Sequence, residues 1–408
     1  MRISTNTIYD NGTTQIGNLQ SGISKTQMQL STNRRMLTAA DDPIASARAL
    51  EVTQSQSINT QFVTNRGNAR SSLSQVELAL TGTTTLLQDV QTLTVSAGNG
   101  ALSGADRESI ATELEGRLND LLGLANTADG GGGYLFSGFR STTQPFTQTT
   151  TGAQYHGDQG QRQLQVGSSR QLPIADSGSS VFEANPTGNG TFETIASPGN
   201  TGTGIVTSGA VANAALLNGQ NYNYVVTFAV AAGGATTYQV TNTLPVPPVV
   251  VAPPAPFTPG QQLSFNGVAF DINGNPANGD TFVVKPSQNQ SVFQTMTDLI
   301  NTLRSPVIGA AGQAKLTNGL NKAADNLNSS LNNVLSVHAS VGSRLKELDY
   351  LDGAGDDLDI QYATTLSQLQ DLDVVKAISL FTQQQFTLES AQKSFKTLTG
   401  LSLFNFIT

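Results

Sequence analysis

At 408 residues the chain has room for more than two average domains of roughly 150 residues, and it is long enough to bury real cores. Only 12% of residues are charged, the net charge is -8, and no basic cluster could neutralise several phosphates, which argues against nucleic acid as a partner. A cysteine count of 0 removes disulfides, thiolate nucleophiles and thiolate metal sites, and 2 histidines leave little material for an imidazole-built metal centre.

The opening residues MRISTNTIYD hold no apolar run of the length a cleaved secretory signal needs, so none is expected. No later stretch approaches the ~18 uninterrupted apolar residues of a membrane-spanning helix, so no membrane insertion is expected. From Ile16 a seven-residue step, Ile16, Ile23, Leu30, Leu37 and Ile44, with Leu19 beside it, predicts one aliphatic stripe on a helix. Asp42 can cap free N–H groups, and Pro43 fits a first helical position, where its missing donor costs nothing; this predicts a break near residues 38 to 42 and a restart.

Leu73, Leu80 and Leu87, with Val76, Thr83, Val90 and Ala97, form a two-column seam of the kind long helices use to pack side by side. Ser103 and Asp106 have capping-box spacing, and Ile110, Leu114, Leu118, Leu121 and Ala125 make the face of the helix they start. Gly130 to Gly133 end that helix; Gly130 and Gly131 are read as a turn and hinge.

Between 141 and 290 the charge thins further and helical periodicity disappears. Tyr222, Tyr224, Val226, Phe228 and Val230 alternate with smaller or polar residues, Gly233 and Gly234 turn, and Tyr238 and Val240 return, which predicts a hairpin. Leu263 and Phe265, the pair Asn266-Gly267, then Val268, Phe270 and Ile272 predict a second hairpin with a type I′ turn. Proline is concentrated between Pro245 and Pro259, and this tract reads as an exposed linker or loop.

Helices return after Pro286. Phe293, Met296, Ile300 and Leu303 share a face until Pro306, and Leu320, Leu327, Val334, Val341 and Leu348 form a long seam with a second column at Ala324, Leu331, His338 and Leu345. A loop is expected from Gly353 to Asp357. A last stripe, Val374, Phe381, Leu388 and Phe395 with Ala377, Ala391 and Leu398, runs toward Leu403 and Phe404. The plan is α+β: a long antiparallel helical bundle formed by N- and C-terminal arms, with a mostly β inserted head. The expected divisions are a terminal assembly helix (1–45), the N-terminal part of the rod (46–140), the β-rich head (141–290), the C-terminal part of the rod (291–370) and a second assembly helix (371–408).

Catalytic chemistry finds no support. The acidic cluster Asp349, Asp352, Asp356, Asp357 and Asp359 lacks the glycine and closing glutamate of an EF-hand and reads as a solvated turn that caps the next helix. Gly130 to Gly133 lack the Lys-Ser/Thr of a phosphate cradle. His338 lies in a packing column, His156 is isolated, and no Gly-x-Ser-x-Gly nucleophile motif occurs. No catalytic, cofactor-binding or metal residue is therefore assigned. The inner seams can pair with each other. Stripes at the extreme ends lack an obvious core, so Ile16, Leu19, Ile23, Leu30, Leu37, Val374, Phe381, Leu388, Phe395, Leu398, Leu403 and Phe404 are expected to form an interface between copies of the chain.

Specific segments also resemble a known family. LSTNRRMLTAADDP, Leu30 to Pro43, resembles the N-terminal signature of flagellins and hook-associated proteins, with Asn33 at the position usually held by a small residue. YLFSGFRSTTQPF, Tyr134 to Phe146, resembles the Phe-Ser-Gly and Pro-Phe segment of the hook-associated protein 3 family within the flagellin-like superfamily. GNPANGDTFVVKP, Gly274 to Pro286, VGSRLKELD, Val341 to Asp349, and the closing LTGLSLFNFI are similar to further family segments, whereas 147 to 262 resemble nothing comparable. The resemblance implies a non-enzymatic structural protein of the bacterial flagellum at the hook–filament junction, exported unfolded without a cleaved signal. It further implies ring self-association, contacts to hook-associated protein 1 and flagellin, and an export chaperone. The alternatives are a flagellin filament subunit or a secreted adhesin on a helical stalk.

Overall fold

The computed structural model describes residues 5–217 and 221–400. Three helices open the chain: α1 (Thr5–Thr32), α2 (Pro43–Ala97) and α3 (Gly104–Ala125). Strands follow as β1 (Phe146–Thr149), β2 (Gly152–Tyr155), β3 (Gln163–Gly167), β4 (Arg170–Pro173), β5 (Asn185–Pro186), β6 (Phe192–Ala196), β7 (Ile205–Val206) and β8 (Ala210–Val211). A short α4 (Ala214–Leu217) precedes β9 (Tyr224–Val230), β10 (Thr236–Asn242), β11 (Val249–Pro256), β12 (Gln262–Phe265), β13 (Val268–Asn273), β14 (Thr281–Pro286) and β15 (Asn289–Gln290). Helices α5 (Val292–Arg304), α6 (Gly309–Gln370) and α7 (Val374–Gly400) close it. The α+β class follows directly. The chain divides into two compact units, residues 1–64 with 350–408, and residues 65–349.

In the larger unit, α2 and α6 run antiparallel. Arg70 meets Asp349 at 2.6 Å, Glu77 lies 3.9 Å from His338, and Gln91 donates to Asn328 at 2.8 Å, so residue numbers rise on one helix as they fall on the other. Leu73, Val76, Leu80, Thr83, Leu87, Val90 and Ala97 are all buried, as are Leu320, Leu327, Val334, Val341 and Leu348, which makes the two seams internal core. The second column on α6 differs from the expectation: Ala324, Leu331, His338 and Leu345 are only half-buried, while Ala323 and Ser330, one position earlier, are buried. α3 starts at the expected capping box, with the Ser103 hydroxyl accepting the Asp106 N–H and the Asp106 carboxylate accepting the Ser103 N–H. It is tied to α5 by Arg304, which reaches Glu108 at 3.0 Å and Glu115 at 2.6 Å.

The β region of this unit holds a five-stranded sheet in the order β11-β10-β9-β14-β6 and a smaller sheet β12-β13-β7, with β8 also pairing with β13. Their apolar faces share one core that includes Phe192, Tyr224, Val226, Phe228, Phe270 and Phe282. Both predicted hairpins form. Asn266 (φ 43°) and Gly267 (φ 89°) provide the two left-handed residues a type I′ turn demands. The proline tract is not a linker over its whole length: Val249–Pro256 is strand β11, paired with β10 through an irregular register. β11 has one paired side, and at a sheet edge the missing proline N–H leaves no ladder partner unmatched, which is why Pro253, Pro254 and Pro256 are tolerated there.

Two further expectations fail for a common reason. The seven-residue step from Ile16 to Ile44 spans two helices, because α1 ends at Thr32 and Leu37 lies in the connector. Conversely, Gly353 to Asp357 is no loop, since α6 runs unbroken from Gly309 to Gln370 and the aspartates are helical residues. Glycine in a helix costs only ~1 kcal/mol, which the flanking tertiary contacts outweigh. In the smaller unit the Gly355 carbonyl already accepts its helical partner and also a 2.8 Å bond from the Asn59 amide.

Candidate assembly surface

The smaller unit is built from α1, the start of α2, the end of α6, and α7. Within it the connector between α1 and α2 is tightly specified. Asn33 adopts a left-handed φ of 53°, a conformation that asparagine and glycine reach most easily, which explains why the signature tolerates Asn33 at its small-residue position. Its carbonyl accepts the Leu372 N–H at 3.3 Å, and the Arg35 N–H donates to the Gln370 carbonyl at 2.8 Å, which fastens the connector to the link between α6 and α7. Asp41 accepts the Leu37 and Thr38 N–H groups, each at 3.0 Å, and pairs with Lys25 at 2.5 Å. That Lys25 bond, backed by the two amides, holds the Asp41 carboxyl far below the usual carboxylate range. Asp42 caps α2 through a 3.0 Å bond from the Ala45 N–H, and Pro43 is the first helical residue.

The terminal stripes meet inside one chain. α1 packs on α7: the Tyr9 and Phe395 rings stand 5.3 Å apart, and Thr26 donates to Gln384 at 2.9 Å. Ile16, Leu19, Ile23 and Leu30 on α1, and Phe381, Leu388 and Phe395 on α7, are each half-buried. Val374 is 43% and Leu398 60% exposed; Leu37 is half-buried in the connector, and Leu403 and Phe404 lie outside the described residues.

The most exposed large apolar and aromatic side chains of this unit are Val375 (80%), Tyr350 (76%), Phe386 (72%), Leu50 (72%), Ile44 (71%) and Ile360 (66%), of which the heptad count places only Ile44 on a stripe. Burial inside the unit is thin. Among the described residues Thr26 is the one buried residue of α1 and Ala377 the one buried residue of α7. Isolated apolar residues on a surface are ordinary, but this small unit exposes many of them.

The segments that carry the family resemblance in the larger unit are structural. Phe136 and Phe146 are fully buried and cluster with Phe182 and Phe293 at ring separations of 5.0 to 5.8 Å. Gly138 has a φ of 70°, and a Cβ there would collide with the Asp158 carboxylate, which accepts the Phe139 N–H at 2.9 Å. Asp280 accepts the Thr201 and Gly202 N–H groups at 2.8 and 2.9 Å, beside buried Phe282. Gly130 (φ 73°) and Gly131 form the expected turn, with the Gly131 N–H on Asp129 at 2.9 Å.

Periodicity missed a polar row on α6. Asn318 holds the Val206 N–H and the Gly204 carbonyl, each at 2.9 Å. Asn326 accepts the Gly188 N–H at 3.1 Å, and Asn333 donates to the Ser180 and Val181 carbonyls. Near-heptad spacing of these asparagines was the available signal. Among the described residues no group of acidic, histidine or cysteine side chains could hold a metal ion, and no helix is long and apolar enough to cross a membrane.

Residues 3–141 match the bacterial flagellin N-terminal helical region. Over 405 residues the chain is 30% identical to the flagellar hook-associated protein 3 of Salmonella typhimurium, covering 99% of each chain. It is 29% identical to the protein of that name in Escherichia coli over the same span and coverage. The crystal structure of the flagellar junction protein FlgL from Legionella pneumophila superposes with a TM-score of 0.72 at 33% identity, covering 79% of this chain and 100% of that one. With a match that runs the length of both sequences and a shared fold, the chain belongs to the flagellar hook-associated protein 3 family, structural components of the bacterial flagellum and not enzymes.

Proposed function

We propose that the chain is an adapter at the hook–filament junction, where copies associate in a ring between hook-associated protein 1 and flagellin. The single observation that carries this reading is the full-length similarity to hook-associated protein 3, reinforced by a close structural match to a named junction protein. The thinly buried smaller unit supports self-association, since its exposed Val375, Phe386, Leu50 and Ile360 are available for burial against other subunits. The terminal stripe residues Ile16, Leu19, Ile23, Leu30, Val374, Phe381, Leu388, Phe395 and Leu398 then act in two ways, the half-buried ones joining α1 to α7 and the exposed ones meeting a neighbour. A cysteine-free, sparsely charged chain also suits export in an unfolded state with a chaperone in attendance.

Deleting the gene and inspecting both cell surface and culture medium tests the reading. The expected result is hooks without filaments and unpolymerised flagellin in the medium. Loss of flagellin itself would identify a filament subunit, and normal filaments with normal motility would leave an adhesin role in front.

A further inference from the structure

Asparagine followed by glycine is the pair most prone to spontaneous deamidation, because no side chain on the second residue shields its nitrogen from the asparagine amide carbon. The chain contains this pair at Asn11, Asn99, Asn189, Asn218, Asn266, Asn273, Asn278 and Asn318. Asn218 lies outside the described residues. For the other seven, the fold decides whether the glycine nitrogen is free to reach the side chain.

Six are held in place. Asn11 and Asn318 sit inside α1 and α6, where the following glycine N–H belongs to the helical ladder. The Gly190 N–H donates to the Thr187 carbonyl at 3.2 Å and the Gly279 N–H to the Phe228 carbonyl at 2.9 Å, so the nitrogens after Asn189 and Asn278 are engaged. Asn273 is paired with Ile205 in the β13–β7 ladder, and a Cβ at Gly274 would collide with the Thr203 carbonyl. Asn266 is fixed in the β12–β13 turn, its amide donating to the Tyr224 hydroxyl at 3.2 Å, while Gly267 is backed by the Asn213 carbonyl.

Asn99 and Gly100 differ in each respect. They lie in the corner between α2 and α3, both exposed, and a Cβ added at Gly100 would meet nothing within 4 Å. The Asn99 N–H donates to the Ser96 carbonyl at 3.2 Å and the Asn99 carbonyl accepts the Leu102 N–H at 3.1 Å, but the Gly100 N–H has no partner among the described residues. The Ala101 N–H donates to Asn99 Oδ1 at 3.1 Å, closing a turn that folds the side chain back along the Gly100 peptide. That bond also draws electron density from Cγ, the atom to be attacked. Asn189 accepts the Thr191 N–H in the same way at 3.0 Å, and there the glycine N–H is tied.

We infer that Asn99 is a deamidation site, and the first of the seven described Asn-Gly pairs to convert in the folded chain. The Gly100 nitrogen bonds to Asn99 Cγ and gives up its proton, the Cγ–Nδ2 bond breaks, and ammonia leaves a cyclic imide behind. One water then opens that ring. Cleavage between Cγ and the nitrogen gives aspartate, whereas cleavage at the backbone carbonyl gives isoaspartate, whose main chain runs through Cβ and Cγ. Either product places a carboxylate just beyond Ala97, the last residue of α2, where the helix dipole disfavours negative charge. Isoaspartate also lengthens the backbone and turns the acceptor of the Ala101 N–H into a main-chain oxygen, so conversion loosens the α2–α3 corner.

The test holds full-length protein at pH 9, samples it over days, digests each sample with pepsin in acid, where deamidation is slow, and maps the peptides by mass spectrometry. Isoaspartate is counted separately with an isoaspartyl methyltransferase and a labelled methyl donor. The expected result is conversion at Asn99 several-fold faster than at Asn11, Asn189, Asn266, Asn273, Asn278 or Asn318, with isoaspartate among the products and the ranking lost in concentrated urea. Gly100→Ala, which the open space at that position accommodates, slows conversion at Asn99 several-fold and leaves the urea midpoint of fresh protein unchanged. Faster conversion at any of the other six in folded protein, a ranking that persists in urea, or undiminished conversion in Gly100→Ala would overturn the assignment. Aged protein enriched in isoaspartate should unfold at lower urea than fresh protein, and equal midpoints would overturn the loosening of the corner.

Discussion

Arg344 on α6 grips Asp176 with both ends of its guanidinium, Nη1 to Oδ2 at 2.8 Å and Nη2 to Oδ1 at 3.0 Å, in a pair whose side chains are 14% and 6% exposed. Gln161 adds a third bond to Asp176 at 2.9 Å. The pair fastens the segment after β4 to the long helix. Removing one partner strands the other charge with little water, which typically costs ~3 kcal/mol. Asp176→Ala is therefore expected to lower the stability of the larger unit by about that amount, read as a fall in the urea midpoint at unchanged slope. An unaltered midpoint would show that water replaces the carboxylate freely.

Asp325, also on α6, lines a cavity of about 440 Å³ near Ser208. Burial raises its pKa above the ordinary 3.8, against the opposing hydrogen bond from Ser208. The folded state then binds the proton more tightly than the unfolded chain, so stability is whole below 3.8 and declines as pH rises through the raised folded value. Asn keeps an acceptor for Ser208 without the charge. Asp325→Asn should raise the melting temperature at pH 7 and leave it unchanged at pH 3, as measured by thermal melts across that range.

Gly267 sits at φ 89° in the β12–β13 turn, and a Cβ there would collide with the Asn213 carbonyl. Strain of this kind costs on the order of 1–3 kcal/mol. Gly267→Ala should destabilise the β region by that order, whereas Gly233→Ala in the β9–β10 turn, where added bulk meets nothing within 4 Å, should be nearly neutral. Equal losses in the two variants would refute the steric argument.

Edge strand β11 contains Pro253, Pro254 and Pro256. Prolines on an edge deny donors to a visiting strand and so discourage sheet-to-sheet association. Replacing all three by threonine should add concentration-dependent association beyond that of the parent chain, visible in sedimentation velocity at matched concentrations.

The α1–α7 pair is long but shallow, with Thr26 and Ala377 its buried residues among those described. Backbone protection follows burial and packing, so amides of α1 and α7 should exchange rapidly in the dissociated chain and slow by orders of magnitude on assembly. The α2–α6 seam, with Leu73, Leu80, Leu87 and Leu327 fully buried, should be protected in both states. Equal protection of the two regions in dissociated chain would contradict this ordering.

Periodicity by itself determined the seam of α2, the face of α3 and the first column of α6, and local residue signals determined the capping box at Ser103, the restart at Pro43 and the Asn266-Gly267 hairpin. Each of these rests on an interaction within a few residues or on a repeat matched to helical pitch, so no distant partner is needed to recognise it. Charge and residue inventory likewise bounded the chemistry, because functional groups that are not encoded cannot be supplied by folding.

What tertiary structure decided depends on pairs far apart in the chain. A seven-residue step cannot tell one helix from two, so the end of α1 at Thr32 emerged only when Asn33 and Arg35 bonded to Leu372 and Gln370. Local glycine and aspartate argued for a loop at Gly353 to Asp357, yet α6 continues through it because tertiary contact outweighs a small propensity cost. The prolines of β11 became strand because β10 offers one side for pairing and nothing is required of the other. The surface left over for partners was least legible of all: whether Leu388 or Phe386 faces outward is settled by where α1 lies on α7, a relationship between residues hundreds of positions apart that no local pattern records.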